Sequence, residues 1–240
     1  MALGGLAIWT RGFSIALVIA HAVICAVVYP LYPNSIYRFL APIALATLAT
    51  AWIVDSKIFA LIHVLIAAET TLAGVLLLSK KQFISLRPLV YSSAIMLPAT
   101  LLFMNLTQAA KWMKHFDEPL WPSSILLAAG LIYLYLHLAG NWKRISESWL
   151  ILAIVSTILL SIFTTPGVLV AVGLLVIGYA FGNHILTALS YLFLVCFLVV
   201  FYYALNMDLA HKSWVIAGSG VILLIVRWIA GYCKPKEMTT

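Results

Sequence analysis

The sequence predicts an all-α fold, a polytopic bundle of transmembrane helices forming one integral membrane domain over residues 1–240. Three observations carry that prediction. Hydrophobic residues make up 65% of the chain, charged residues only 9%, and the mean hydropathy is +1.11, so there is too little polar surface to cover a water-soluble core. Apolar runs near the length of roughly 20 residues that a helical crossing needs follow one another with short polar interruptions. The ten-residue alternating segments of a membrane barrel are absent, and in hydrocarbon the other way to satisfy every backbone N–H and C=O is a helix.

About nine spans result. The first, 12–29, contains Ala20-His21-Ala22, which imitates a small-x-small cleavage site after an apolar run; the span is read as a retained anchor. The second, 36–54, stops at Asp55 and Lys57. The third, 58–79, holds His63 and Glu69 and stops at Lys80 and Lys81. The fourth, 88–107, leads into the longest interruption, Gln108 to Pro122, whose mixed tryptophans, cations and carboxylates suit the headgroup plane or a lid over a site. The fifth is 123–140. The sixth, 149–164, and seventh, 166–182, meet at Thr164-Thr165-Pro166 and form either a tight hairpin or one broken helix. The eighth, 185–206, and ninth, 213–231, flank a short polar turn.

Positive residues orient this arrangement. With nine spans, Arg11, Lys57, Lys111, Lys114 and Lys212 fall on the N-terminal side, and the other nine of the 14 lysines and arginines fall on the opposite side. Positive residues favour the cytoplasm, so the N-terminus is expected outside and the C-terminus inside. The net charge of +7 is then a topological signal and a contact with anionic headgroups, and no nucleic-acid partner is expected. Cys25, Cys196 and Cys233 lack metal-type spacing and read as small apolar fillers.

Candidate chemistry is sparse. Glu69 is the only acidic residue near the middle of a span, and a carboxylate at that depth costs several kcal/mol unless it is protonated, paired or facing water. It should point into the bundle, as part of a proton or ion path or hydrogen-bonded to a neighbouring helix through Thr70 or Thr71. His63 lies six residues earlier, about 240 degrees round the helix, so the two form no local pair. The six histidines show neither paired spacing nor an H-E-x-x-H, and no metal site or cofactor is expected. Ala217-Gly218-Ser219-Gly220 is one residue away from a rhomboid-type nucleophile motif, but no histidine follows it to act as base. Asp55, Asp117 and Asp208 fall in loops, which leaves no aspartyl dyad inside a span. Small residues such as Gly178-Tyr-Ala-Phe-Gly182 read as close helix contacts.

The second candidate is the turn between the last two spans. Tyr202, Tyr203, Asp208, His211 and Lys212 are expected to cluster at the extracytoplasmic surface, with Ser213 capping the last helix. Such a cluster suits a lipid headgroup or a partner protein.

This stretch, YYALNMDLAHKS with Gly218 and Arg227 following, resembles the C-terminal signature of a bacterial multi-pass family called domain of unknown function 4401. The upstream TTPGVLVAVGLLVIGYAFGN, from Thr164 to Asn183, resembles the same family, and a weaker likeness reaches back to Tyr37–Pro42. Family members tend to be longer at the N-terminus, so the likeness leaves open a compact relative, a split gene or one subunit of an assembly. It implies a bacterial inner-membrane protein, with a membrane protein partner bearing a GDYxxLxYP motif, and it implies no catalytic residue.

The first functional reading is therefore a non-catalytic scaffold or accessory subunit of a membrane complex, with membrane lipids and another membrane protein as partners. Its rival is a transporter or lipid-handling protein using Glu69, and an intramembrane enzyme comes third. A cavity reaching Glu69 favours the rival, and an exposed apolar groove on a dry bundle favours partnership.

Overall fold

The computed structural model describes residues 15–32, 34–79, 86–109, 119–140, 148–204 and 213. Within them eight helices succeed one another, with no strand among the described residues: α1 (Ile15–Leu31), α2 (Ser35–Ser56), α3 (Leu61–Leu78), α4 (Arg87–Ala109), α5 (Trp121–Ala139), α6 (Ser148–Phe163), α7 (Pro166–Ala180) and α8 (His184–Ala204). Five of them, α2, α3, α4, α5 and α8, are long and apolar enough to cross a membrane, while α1, α6 and α7 are shorter apolar helices. The expected ninth span, 213–231, lies outside the described residues apart from Ser213.

Local chemistry places the helix ends, and it moves several of the expected boundaries. Asn34 begins α2 by accepting the Ile36 and Tyr37 amides on Oδ1 at 2.8 and 3.3 Å. That helix continues past the point where hydropathy falls and ends only where Lys57 turns left-handed, at φ 59°. Asp55, expected in a loop, is therefore in the last turn of α2. At the far side of the long interruption, Pro122 occupies the first turn of α5, so Trp121 and Pro122 are helical, and Gln108 at the near side belongs to α4. The rest of that segment, 110–118, lies outside the described residues.

The sixth and seventh spans are two helices. Thr165, at ψ 152°, is held extended by the following proline, which starts α7. They do not pair closely: α6 packs mainly on α5, whereas the most extensive contact of α7 is with α8.

Packing centres on α4, which touches α2, α3, α7 and α8. Its Leu101 and Met104 join Ile62 and Ile66 of α3, Leu169 of α7 and Phe197 of α8 in one continuous buried core. The outer faces are apolar as well, with Val23, Ile36, Val64, Ile125, Ile162 and Leu192 exposed. A bundle solvated by water would place charge there; one solvated by lipid has no need to.

The α7–α8 hairpin shows why its glycines are glycines. Gly182 takes φ 62° at the turn, and the Asn183 amide returns to the Gly178 carbonyl at 2.8 Å. A Cβ on Gly178 would sit 2.8 Å from the Thr187 backbone nitrogen, and one on Gly167 would run into the Phe197 ring. Of the G-x-x-x-G pair, Gly178 thus lets α8 approach α7 closely, as the sequence suggested, whereas Gly182 faces open space and serves the turn.

Candidate functional site

Glu69 occupies the middle of α3 and is buried, 2% exposed, in contact range of α4. The Thr100 hydroxyl donates to its Oε1 at 3.1 Å. Oε2 is buried without a hydrogen-bond partner. The expected local partners are not used: Thr70 donates to the Ile66 carbonyl at 2.7 Å and Thr71 to the Ala68 carbonyl at 2.9 Å. Threonine in a helix reaches its own preceding turn more readily than a neighbour, and that reach is what the sequence reading overlooked.

His63 looks elsewhere, as the helical wheel requires. Its Nδ1 lies 2.7 Å from Oγ of Ser123 in the first turns of α5. The third helix therefore has one polar tie to α4 through Glu69 and another to α5 through His63. Among the described residues no group of three His, Cys, Asp or Glu side chains could hold a metal ion.

Between α2 and α4 runs a groove of about 540 Å³. Its α2 wall carries Ile43, Ala46, Thr47, Thr50 and Val54, which share one helical face at i, i+3, i+4 spacing, with Asp55 at its end, and Thr100 lies on its α4 wall. Along α2 this lining extends about 18 Å at 1.5 Å per residue. Thr100 is thus shared: one side of it faces the groove and its hydroxyl holds Glu69. The groove does not reach the carboxyl group itself. Thr50, 6% exposed, also lines the groove, and its Oγ1 is buried without a hydrogen-bond partner. Neither threonine was singled out by sequence. The available signal was the run of small residues 46, 47, 50, 51 on one face of the helix.

Of the C-terminal candidates, Tyr202 and Tyr203 are in the last turn of α8, their rings edge to face with centroids 5.5 Å apart, and Tyr203 is exposed. Asp208, His211 and Lys212 lie outside the described residues. A further tie that sequence did not anticipate starts in the α7–α8 turn. Asn183 accepts the Ile185 and Leu186 amides on Oδ1 at 3.1 and 3.2 Å, and its amide nitrogen donates to the Tyr91 hydroxyl of α4 at 3.2 Å. One side chain thereby caps α8 and fastens the hairpin to the central helix.

The pattern of the family described as Domain of unknown function (DUF4401) matches residues 2–233. The chain belongs to the DUF4401 family. The match takes in every helix described above, well beyond the C-terminal stretch on which the likeness was first read. In this DUF4401 chain the Pro166-Gly167 and Gly178–Asn183 positions are occupied with helix contacts and a turn, which is structural work. No curated protein and no solved structure matches the chain.

Proposed function

We propose that this DUF4401 protein is a non-catalytic accessory or scaffold subunit of a bacterial inner-membrane complex, and that the α2/α4 groove seats a transmembrane helix of its partner. One observation carries the proposal: a long groove whose walls are rich in small residues, with Ala46, Ala51 and Ala99 beside Thr47, Thr50 and Thr100. Membrane helices associate where small residues let backbones approach and hydroxyls bond across the contact, because apolar side chains gain nothing over lipid. An Ala99→Trp substitution, on the exposed edge of the groove, tests this. It should abolish co-purification of the partner in mild detergent while leaving a monodisperse helical protein; retention of the partner refutes the seating.

On the same reading the N-terminus lies outside and the C-terminus in the cytoplasm, and Tyr202, Tyr203, Asp208, His211 and Lys212 form a second contact at the outer surface. Lys212→Ala should then weaken the complex without lowering the amount of folded protein. A loss of folded protein alone makes that turn a structural cap.

A second reading rests on Thr100. Because this residue joins the groove wall to Glu69, a transporter or lipid-handling protein would have a carboxyl group one hydroxyl away from its cavity. Substrate movement that depends on the Glu69 charge, lost in Glu69→Gln, would favour it over the first.

A further inference from the structure

A second cleft of about 540 Å³ opens on the other side of α3, between α3 and α5. The two helices run side by side along it in step: Thr70 lies opposite Gly130, and Ser79 and His137 stand at its far end, where both helices finish. We infer that this cleft binds an anionic phospholipid, with one acyl chain lying between Gly74 and Gly130 and the headgroup at the Ser79–His137 end.

Four features lead there. The inner wall offers no free hydroxyl donor in spite of its threonines, because Thr70 and Thr71 already donate to their own helix. The floor continues, through the shared Thr70, Gly74 and Gly130, into a narrower gap of about 90 Å³ that also touches α7. A helix of roughly 10 Å diameter cannot enter such a gap, whereas a hydrocarbon chain can. The outer end turns polar and aromatic, with the Tyr133 and His137 rings stacked at 6.1 Å and Ser79 beside them, a composition that suits headgroup depth. Finally, the exposed Arg87 opens α4 there, and in the sequence Lys80-Lys81 directly follow Ser79 and Lys143-Arg144 follow Gly140 by three residues. Lysines and arginines near such a surface attract anionic lipid.

The α2/α4 groove, by contrast, is lined by α2 and α4 alone. The lipid cleft depends on no partner and stands whether or not that groove seats one.

Native mass spectrometry of the purified full chain, supplied with equimolar phosphatidylglycerol and phosphatidylcholine, tests the inference. The protein should retain one phosphatidylglycerol in preference to phosphatidylcholine. Gly74→Leu, which fills space where nothing lies within 4 Å of a new Cβ, should reduce that retention about tenfold, and Val64→Leu on the same helix should not. Equal retention of the two lipids by the unsubstituted protein overturns the headgroup assignment. Undiminished phosphatidylglycerol on a folded Gly74→Leu protein overturns the cleft. Were Gly74→Leu unable to fold, Gly130→Leu makes the same test from the opposite wall, where the nearest atom is a Thr70 methyl at 3.8 Å.

Discussion

Thr100 of α4 donates its hydroxyl to Oε1 of Glu69 on α3 at 3.1 Å, and in doing so ties the only buried acidic residue among the described ones to the wall of the α2/α4 groove. Glu69 is accordingly a fastening between two helices, with one oxygen engaged. Thr100→Val removes the donor, leaves Oε1 buried and unpaired, and should cost about 1 kcal/mol of stability. Thr47→Val, whose hydroxyl only turns back to the Ile43 carbonyl on an exposed face, should cost less. Thermal unfolding in detergent compares the two, and equal losses would mean that the Glu69 contact contributes nothing.

Glu69→Gln separates the two functional readings. Glutamine keeps the size of the side chain and an acceptor for Thr100, so folding and complex formation should survive. A variant that folds and still co-purifies its partner fits a subunit held together by helix contacts. One that folds but releases the partner, or stops moving a substrate, shows that the carboxyl group is used.

Close approach of α8 to α7 gives the next expectation. Gly178→Ala forces a methyl against the Thr187 backbone and should destabilise by about 1–3 kcal/mol. Gly74→Ala, facing open space, should be nearly neutral. Should the two behave alike in detergent unfolding, the α7–α8 contact is looser than described.

Orientation is open to labelling. In a cysteine-free background, a cysteine at Ile58, in the α2–α3 connection, should react with a membrane-impermeant reagent from outside the cell, and one at Ser79 should not. The opposite pattern inverts the bundle.

Much of this was legible in the chain because lipid imposes a simple rule. The apolar runs from 36–54 to 185–206 all became helices, and Glu69, the one carboxylate at mid-span, turned inward. Boundaries were less legible where polarity and helicity part company. Asp55 stays helical because backbone bonding continues to Lys57, and Trp121-Pro122 looks like loop but starts a helix. Partners were least legible. Glu69 binds Thr100, 31 residues away, and Asn183 binds Tyr91, 92 residues away, pairings that no local spacing encodes. The threonines nearest Glu69 were misleading for the same reason that makes threonine common inside membrane helices, its ability to bond its own preceding turn.

The claim that matters most is that the α2/α4 groove seats another protein's transmembrane helix. A photoreactive amino acid placed at Ala99, on the groove edge, with a second at Ile158, exposed on α6, measures it directly in intact cells. The account predicts a crosslink from position 99, and none from 158, to a distinct polypeptide whose labelled peptide falls within an apolar span of about 20 residues. A crosslink from position 99 to another part of the same chain, to a second copy, or to lipid alone would contradict it.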